Sequence, residues 1–154
     1  MDNEIKTTAE LKEDDTLPCV YEVHTDAGVK AGLQDLPEGM KAPVDTKSPA
    51  RWAYERLILY IQNFEKHLDS EHEVAIGLTG GEIGVLRIEG MGYFDPDIVT
   101  FYGSDASGAR TQLIQHVTQL NVMLRALPKR QGQSEPSRIG FRLAADLQKD
   151  GENP

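Results

Sequence analysis

Between residues 49 and 68 the apolar positions Ala53, Leu57, Tyr60, Ile61, Phe64 and Leu68 recur every three or four residues, which predicts one long amphipathic helix. Ser48 supplies an N-cap oxygen, and Pro49 fills a first-turn position that needs no amide hydrogen. Trp52 and Leu59 add a second apolar patch, so the helix is expected to be contacted on more than one side. After Asp69 the period drops to two. Val74, Ile76 and Leu78 alternate with Ala75, Gly77 and Thr79, and Gly80-Gly81-Glu82 reads as a tight hairpin turn. The return strand spans 83–89, with Gly90 and Gly92 as bend or bulge positions. Tyr93 to Asp97 makes a turn around Pro96, and the β-branched and aromatic run Ile98 to Tyr102 is the clearest strand. Beyond a polar loop, 110–117 alternates as a fourth strand in which Gln112, Ile114 and His116 share one face. Residues 120–127 fit a helical face through Leu120, Met123, Leu124 and Leu127, and a strand through Leu120, Val122, Leu124 and Ala126; Pro128 ends either. Alternating apolar and basic positions over 138–143 predict a last strand.

These elements predict an α+β fold, with one long N-terminal helix packed on a strongly bent antiparallel sheet of about five strands. Residues 120–127 decide between a small closed barrel and an open layer. Residues 48–145 form the expected single domain, in keeping with a length of 154 and a common domain size of about 100–150. Residues 1–47 hold few large apolar side chains and repeated breakers at Pro18, Gly28, Gly32, Pro37, Gly39 and Pro43, and so are expected to be a mostly disordered arm. Within it, Cys19 to His24 has the character of an added edge strand or a partner-binding peptide. Residues 146–154 read as a frayed tail.

Charge narrows the function. The chain carries 16 Lys and Arg against 25 Asp and Glu, a formal net charge of −9. Eleven acidic and five basic residues fall in 1–48, whereas 49–130 is nearly balanced with ten and eight. A general basic footprint for DNA or an anionic membrane is absent, and contact with RNA would have to be local. No stretch approaches the roughly 18 apolar residues of a membrane span, and the first residues lack the basic and apolar regions of a signal peptide, so a cytoplasmic protein is expected. Cys19, the lone cysteine, has no disulfide or zinc partner in the sequence.

Few residues carry candidate chemistry. Gly77-Leu78-Thr79-Gly80-Gly81 lacks the Lys-Ser/Thr ending of a phosphate-binding loop, and there is no G-x-S-x-G elbow, so no cofactor and no nucleophilic catalysis are expected. His67, Asp69, Glu71, His72 and Glu73 crowd a helix-to-strand corner that aims them in different directions, and no metal site is expected there. Asp95 and Asp97 flank Pro96 as turn residues. Gln112, Gln115 and His116, with Asn121 and the aromatic residues Tyr93 and Phe94, are the candidate contacts for a ligand or RNA base. Trp52 and Leu59 are the candidate interface.

The segments ARWAYERLILYIQNFEKHLDSEHEVAIGL, FDPDIVTFYG, LIQHVTQLNVMLRALPK and RIGFRLA resemble a family of small bacterial proteins, mainly alphaproteobacterial, known as a domain of unknown function. The resemblance covers residues 50–144 and implies one folded unit without assigning an activity. A second resemblance is architectural: a helix followed by a meander of strands with a short Gly-Gly turn is similar to the Sm-like barrel of the bacterial RNA chaperone. His116 falls where that family has a Tyr-Lys-His stretch, with Ile114 and Gln115 in place of the tyrosine and lysine. The first reading of function is a non-enzymatic module that binds itself or another protein. The alternative is an Sm-like ring that binds single-stranded RNA through a local polar channel; an outside alternative is a small metal-dependent hydrolase using Asp95, Asp97 or His72.

Overall fold

The computed structural model of the chain describes residues 22–25, 37–40, 46–78 and 84–152. Helix α1 (Pro49–Lys66) starts as its cap predicts: Ser48 Oγ accepts from the Arg51 amide at 3.1 Å. Five strands follow, β1 (His72–Leu78), β2 (Val85–Phe94), β3 (Ile98–Ser104), β4 (Arg110–His116) and β5 (Val122–Pro128), and the chain closes with helix α2 (Ile139–Glu152). Every paired neighbour is antiparallel, in the order β4-β3-β2-β1-β5. The fold is α+β, as expected. The ambiguous stretch is a strand, and it returns to pair with β1, setting His72 against Pro128 and Leu78 against Val122. The sheet is open, not a closed barrel, with β4 and β5 as its edges.

Alternation sorts the side chains. Ile76, Leu86, Ile88, Val99 and Phe101 lie on one face and form the core with Ile58 and Ile61 of α1. The ladder between β2 and β3 shifts register between Ile88 and Gly90, a bulge that inserts Glu89, one residue ahead of the bend or bulge expected at Gly90. The Gly80-Gly81-Glu82 turn lies outside the described residues.

Four expectations are corrected. Residues 138–143 are not a strand but the start of α2, whose residues Ile139, Leu143 and Leu147 recur every four positions and are buried. That helix runs on to Glu152, so the folded unit extends past residue 145 into the stretch read as a frayed tail. Trp52 and Leu59 are only 5% and 3% exposed, buried in the core of their own chain; they offer nothing to a second subunit. Their patch is covered from within because α2 packs on α1 and on a 3-10 turn at Glu38–Met40, whose Met40 is buried in the core. The presumed arm therefore contributes to the fold at 37–40. Residues 1–21, 26–36 and 41–45 lie outside the described residues, among them Cys19 to Tyr21; Glu22 to His24 are described and belong to no strand.

The crossing of the two helices turns on Glu65 and Gly140. Glu65 is buried, and its Oε1 accepts from the Phe141 amide at 3.1 Å, so a carboxyl from α1 caps the N-terminus of α2. Its Oε2 is buried without a partner among the described residues. Burial pushes the Glu65 carboxyl above the ordinary value of 4.5, outweighing the Gly140 and Phe141 amides and the Arg138 charge, which act the other way. The native state then holds a proton that the unfolded chain releases. This group's contribution is fully present below pH 4.5 and is lost as pH rises through the higher native value. Relative to the parent, Glu65→Gln should flatten the dependence of stability on pH above 4.5, measured as urea midpoints from pH 4.5 to 8. Parallel curves for the two proteins would contradict the assignment.

Candidate functional site

The sequence-predicted residues do not converge. On β4, Gln112 and Ile114 are exposed on the face away from the helices, whereas Gln115 pairs with Val99 on the core face, where its Oε1 is buried and unpartnered among the described residues. Tyr93 also faces α1, its ring 5.1 Å from that of Tyr54. Phe94 points the other way and is 74% exposed. Asn121 is exposed just ahead of β5.

His116 is held at both nitrogens. Nδ1 accepts from the Thr118 amide at 3.2 Å, which leaves Nε2 to carry the proton and donate to Asp97 at 2.9 Å. The imidazole caps the turn Val117–Gln119, while the Gln119 side chain accepts from the His116 amide. Asp95 accepts from the Ser48 hydroxyl. The Pro96 carbonyl accepts from the Ala50 amide and the Asp97 carbonyl from the Val117 amide, each at 2.9 Å. This acidic turn therefore fastens the start of α1 to the end of β4, and its side chains are committed to structure.

At the helix-to-strand corner, the hydrogen bond from His72 lies at 2.7 Å and holds the Asp69 carboxyl below its usual range. Arg138 clamps the same corner through the carbonyls of His72 and Asp69. Among the described residues no three or more His, Cys, Asp or Glu side chains are grouped to hold a metal ion.

A different set does converge, on the helix-free face. Opposed residues of antiparallel strands share a face, so the register aligns Arg110, Ser104, Arg87, Ala75 and Arg125 in one row across all five strands. Arg130, just after β5, donates to Ser104 Oγ and, at 3.1 Å, to Glu89. Arg87 pairs with buried Glu73 and donates to the Pro128 carbonyl at 3.0 Å. Arg110 makes no ion pair among the described residues. Of these, Arg87, Glu89, Ser104, Arg110 and Arg130 line a cleft of about 610 Å³. Asp105 stands at its rim, its carboxyl held low first by the Ser107 hydroxyl and then by backbone amides of the β3–β4 loop. Sequence reading missed the cleft because its arginines are far apart in the chain. Only the strand register and the connector after β5 bring them together.

A family model described as a family of unknown function, DUF6173, matches residues 44–142. The chain belongs to the DUF6173 family. No curated protein and no solved structure matches it. The DUF6173 match takes in Lys47, the whole sheet and the first turn of α2, so the residues lining the cleft all lie inside it. In this DUF6173 chain no described helix is long and apolar enough to cross a membrane.

Proposed function

We propose that this protein is a non-enzymatic module that works by self-association. The observation that carries this reading is the β5 edge. Beside the outer side of β5, which pairs with no other described strand, runs an apolar groove of about 300 Å³, lined by Leu57, Tyr60 and Ile61 of α1 and by Leu120, Val122 and Leu124. A strand laid along β5 would find backbone donors and acceptors together with slots for alternate side chains. A second copy offers such a strand in its own β5, and an isologous pair needs only this one surface. Tyr60 and Met123, about half exposed on either side of the edge, replace Trp52 and Leu59 as the residues to change. The absence of a reaction from this reading is supported by the commitment of His116, Asp95 and Asp97 to hydrogen bonds within the fold.

Light scattering during size exclusion of the full chain tests it. A dimer is expected, and Tyr60→Glu with Met123→Glu should return it to a monomer without changing the circular dichroism spectrum. A parent that stays monomeric as its concentration rises would overturn the proposal. A ring of about five to seven copies would overturn the isologous pair and favour the Sm-like, RNA-binding alternative.

A further inference from the structure

We propose that the arginine-lined cleft on the helix-free face is a binding site for a nucleoside phosphate. This goes beyond self-association, since the cleft and the β5 groove have no lining residue in common.

Three observations support it. The first is a built anion site: Arg87 and Arg110 flank Ser104 in one cross-strand row, and Arg130 reaches the same serine from the connector. Ser104 is 7% exposed, and its small side chain lets guanidinium groups approach above it. Planar guanidinium groups match a phosphate through paired N–H donors. The row sits in an acidic chain whose folded segment is close to neutral, so it marks a local exception to the overall charge.

The second is a ring platform that continues the cleft. A neighbouring pocket of about 290 Å³ shares Glu89 and Arg110 with it and is lined further by Tyr102, Thr111 and Gln112. Tyr102 is exposed and packs beside Gly90, where a Cβ would come 3.7 Å from the Tyr102 Cβ and 3.7 Å from one carbon of its ring. A base can stack on such a ring, and the Gln112 amide, opposite Tyr102 in register, can donate to and accept from a base edge. Phosphate on the arginines and base on Tyr102 is the arrangement that uses both pockets.

The third is the charge balance within the cleft. Glu73 neutralises Arg87 from a buried position, and Asp105 is tied into its own loop. Glu89 is different: it is the bulged residue, its side chain is 53% exposed, and it occupies Arg130 and Ser104 from the cleft mouth. An incoming phosphate would displace this carboxylate and pair with Arg110 and Arg130. Glu89 is thus a built-in competitor for the anion.

Calorimetric titration of the full chain at low salt, using uridine and adenosine 5′-monophosphates, inorganic phosphate and a short oligouridylate, tests the site. The mononucleotides should bind more tightly than inorganic phosphate. Arg110→Ala should weaken them about tenfold or more, and Tyr102→Leu by roughly tenfold. Glu89→Gln should tighten them severalfold, an effect that a merely structural role would not produce. Oligouridylate binding well above the mononucleotides with a steep salt dependence identifies a strand as the source; equal affinities identify the free nucleotide. No detectable nucleotide binding at millimolar concentration, inorganic phosphate binding as tightly as the nucleotides, or indifference to Arg110→Ala would each overturn the proposal. Parent and variants should show the same solution mass, which keeps this outcome separate from that of self-association.

Discussion

Lys47→Ala is expected to destabilise the fold by about 3 to 5 kcal/mol, the usual cost of removing one partner from a buried ion pair. Its Nζ lies 2.6 Å from Glu55, donates to the Gly39 carbonyl, and sits 4.3 Å from the centre of the Trp52 ring. The two charged side chains are only 3% and 2% exposed. Without the ammonium, buried Glu55 keeps, among the described residues, only the Arg51 ion pair, more distant at 3.3 Å and much more exposed. Truncation before Ser48 should be at least as harmful, since it also removes the turn that buries Met40. Trp52 is the only tryptophan, so its fluorescence during urea unfolding reports on this contact directly. Replacing both partners, Lys47→Met with Glu55→Leu, should restore most of the loss, because two apolar groups leave no charge stranded. A single-variant loss below about 1 kcal/mol would show that the pair is not buried as described.

Gly140→Ala sets two effects against each other. In an exposed helix interior, replacing glycine by alanine gains about 1 kcal/mol. Here a Cβ would lie 2.5 Å from Glu65 Oε1, 2.8 Å from the Gln62 nitrogen and 2.9 Å from its Cα. Two of those atoms are backbone of α1 and cannot swing aside, so the helices must separate. Overpacking of this kind costs about 1–3 kcal/mol, and the shift also strains the hydrogen bond that caps α2. A net loss is therefore expected, read as a lower thermal midpoint. The reverse change at exposed Ala145 in the same helix should cost only about 1 kcal/mol. If Gly140→Ala instead stabilises the protein, the close crossing is wrong.

What could be read from the sequence was whatever local forces decide. Ser48-Pro49 and the spacing from Ala53 to Phe64 are enough to start α1 and orient its core face. Period-two alternation likewise locates β1, β4 and the first half of β2, though β2 runs on to Phe94 through the expected bend at Gly90 and Gly92; β-propensity locates β3, and the alternation places Gln112, Ile114 and His116 together correctly. The errors arise where distant segments arbitrate. Over 138–143 the alternation of Ile139, Phe141 and Leu143 with basic residues suggests a strand, but Leu147 continues a four-residue spacing, and Glu65, far away in sequence, waits to cap a helix. Trp52 and Leu59 look unpartnered only until α2 and the 37–40 turn are placed over them. The cleft was hidden for a similar reason: the pairing that sets Arg87 and Arg110 on either side of Ser104 depends on the Glu89 bulge and on long-range register.

The strand order also has a consequence for the newborn chain. As β1 to β4 leave the ribosome they can zip together as successive hairpins, yet β1 keeps one side bare until Val122–Pro128 has been made. Val74 and Ile76, which end in the core, spend that interval beside an open edge, and the helix that completes their cover is translated later still. Pairing across so long a separation is slow, and exposed edges of this kind invite chaperones or misassembly during synthesis. A ribosome stalled before β5 should therefore carry a sticky, protease-sensitive half-sheet, and the fold should lock only once the last strand and the helix behind it have emerged.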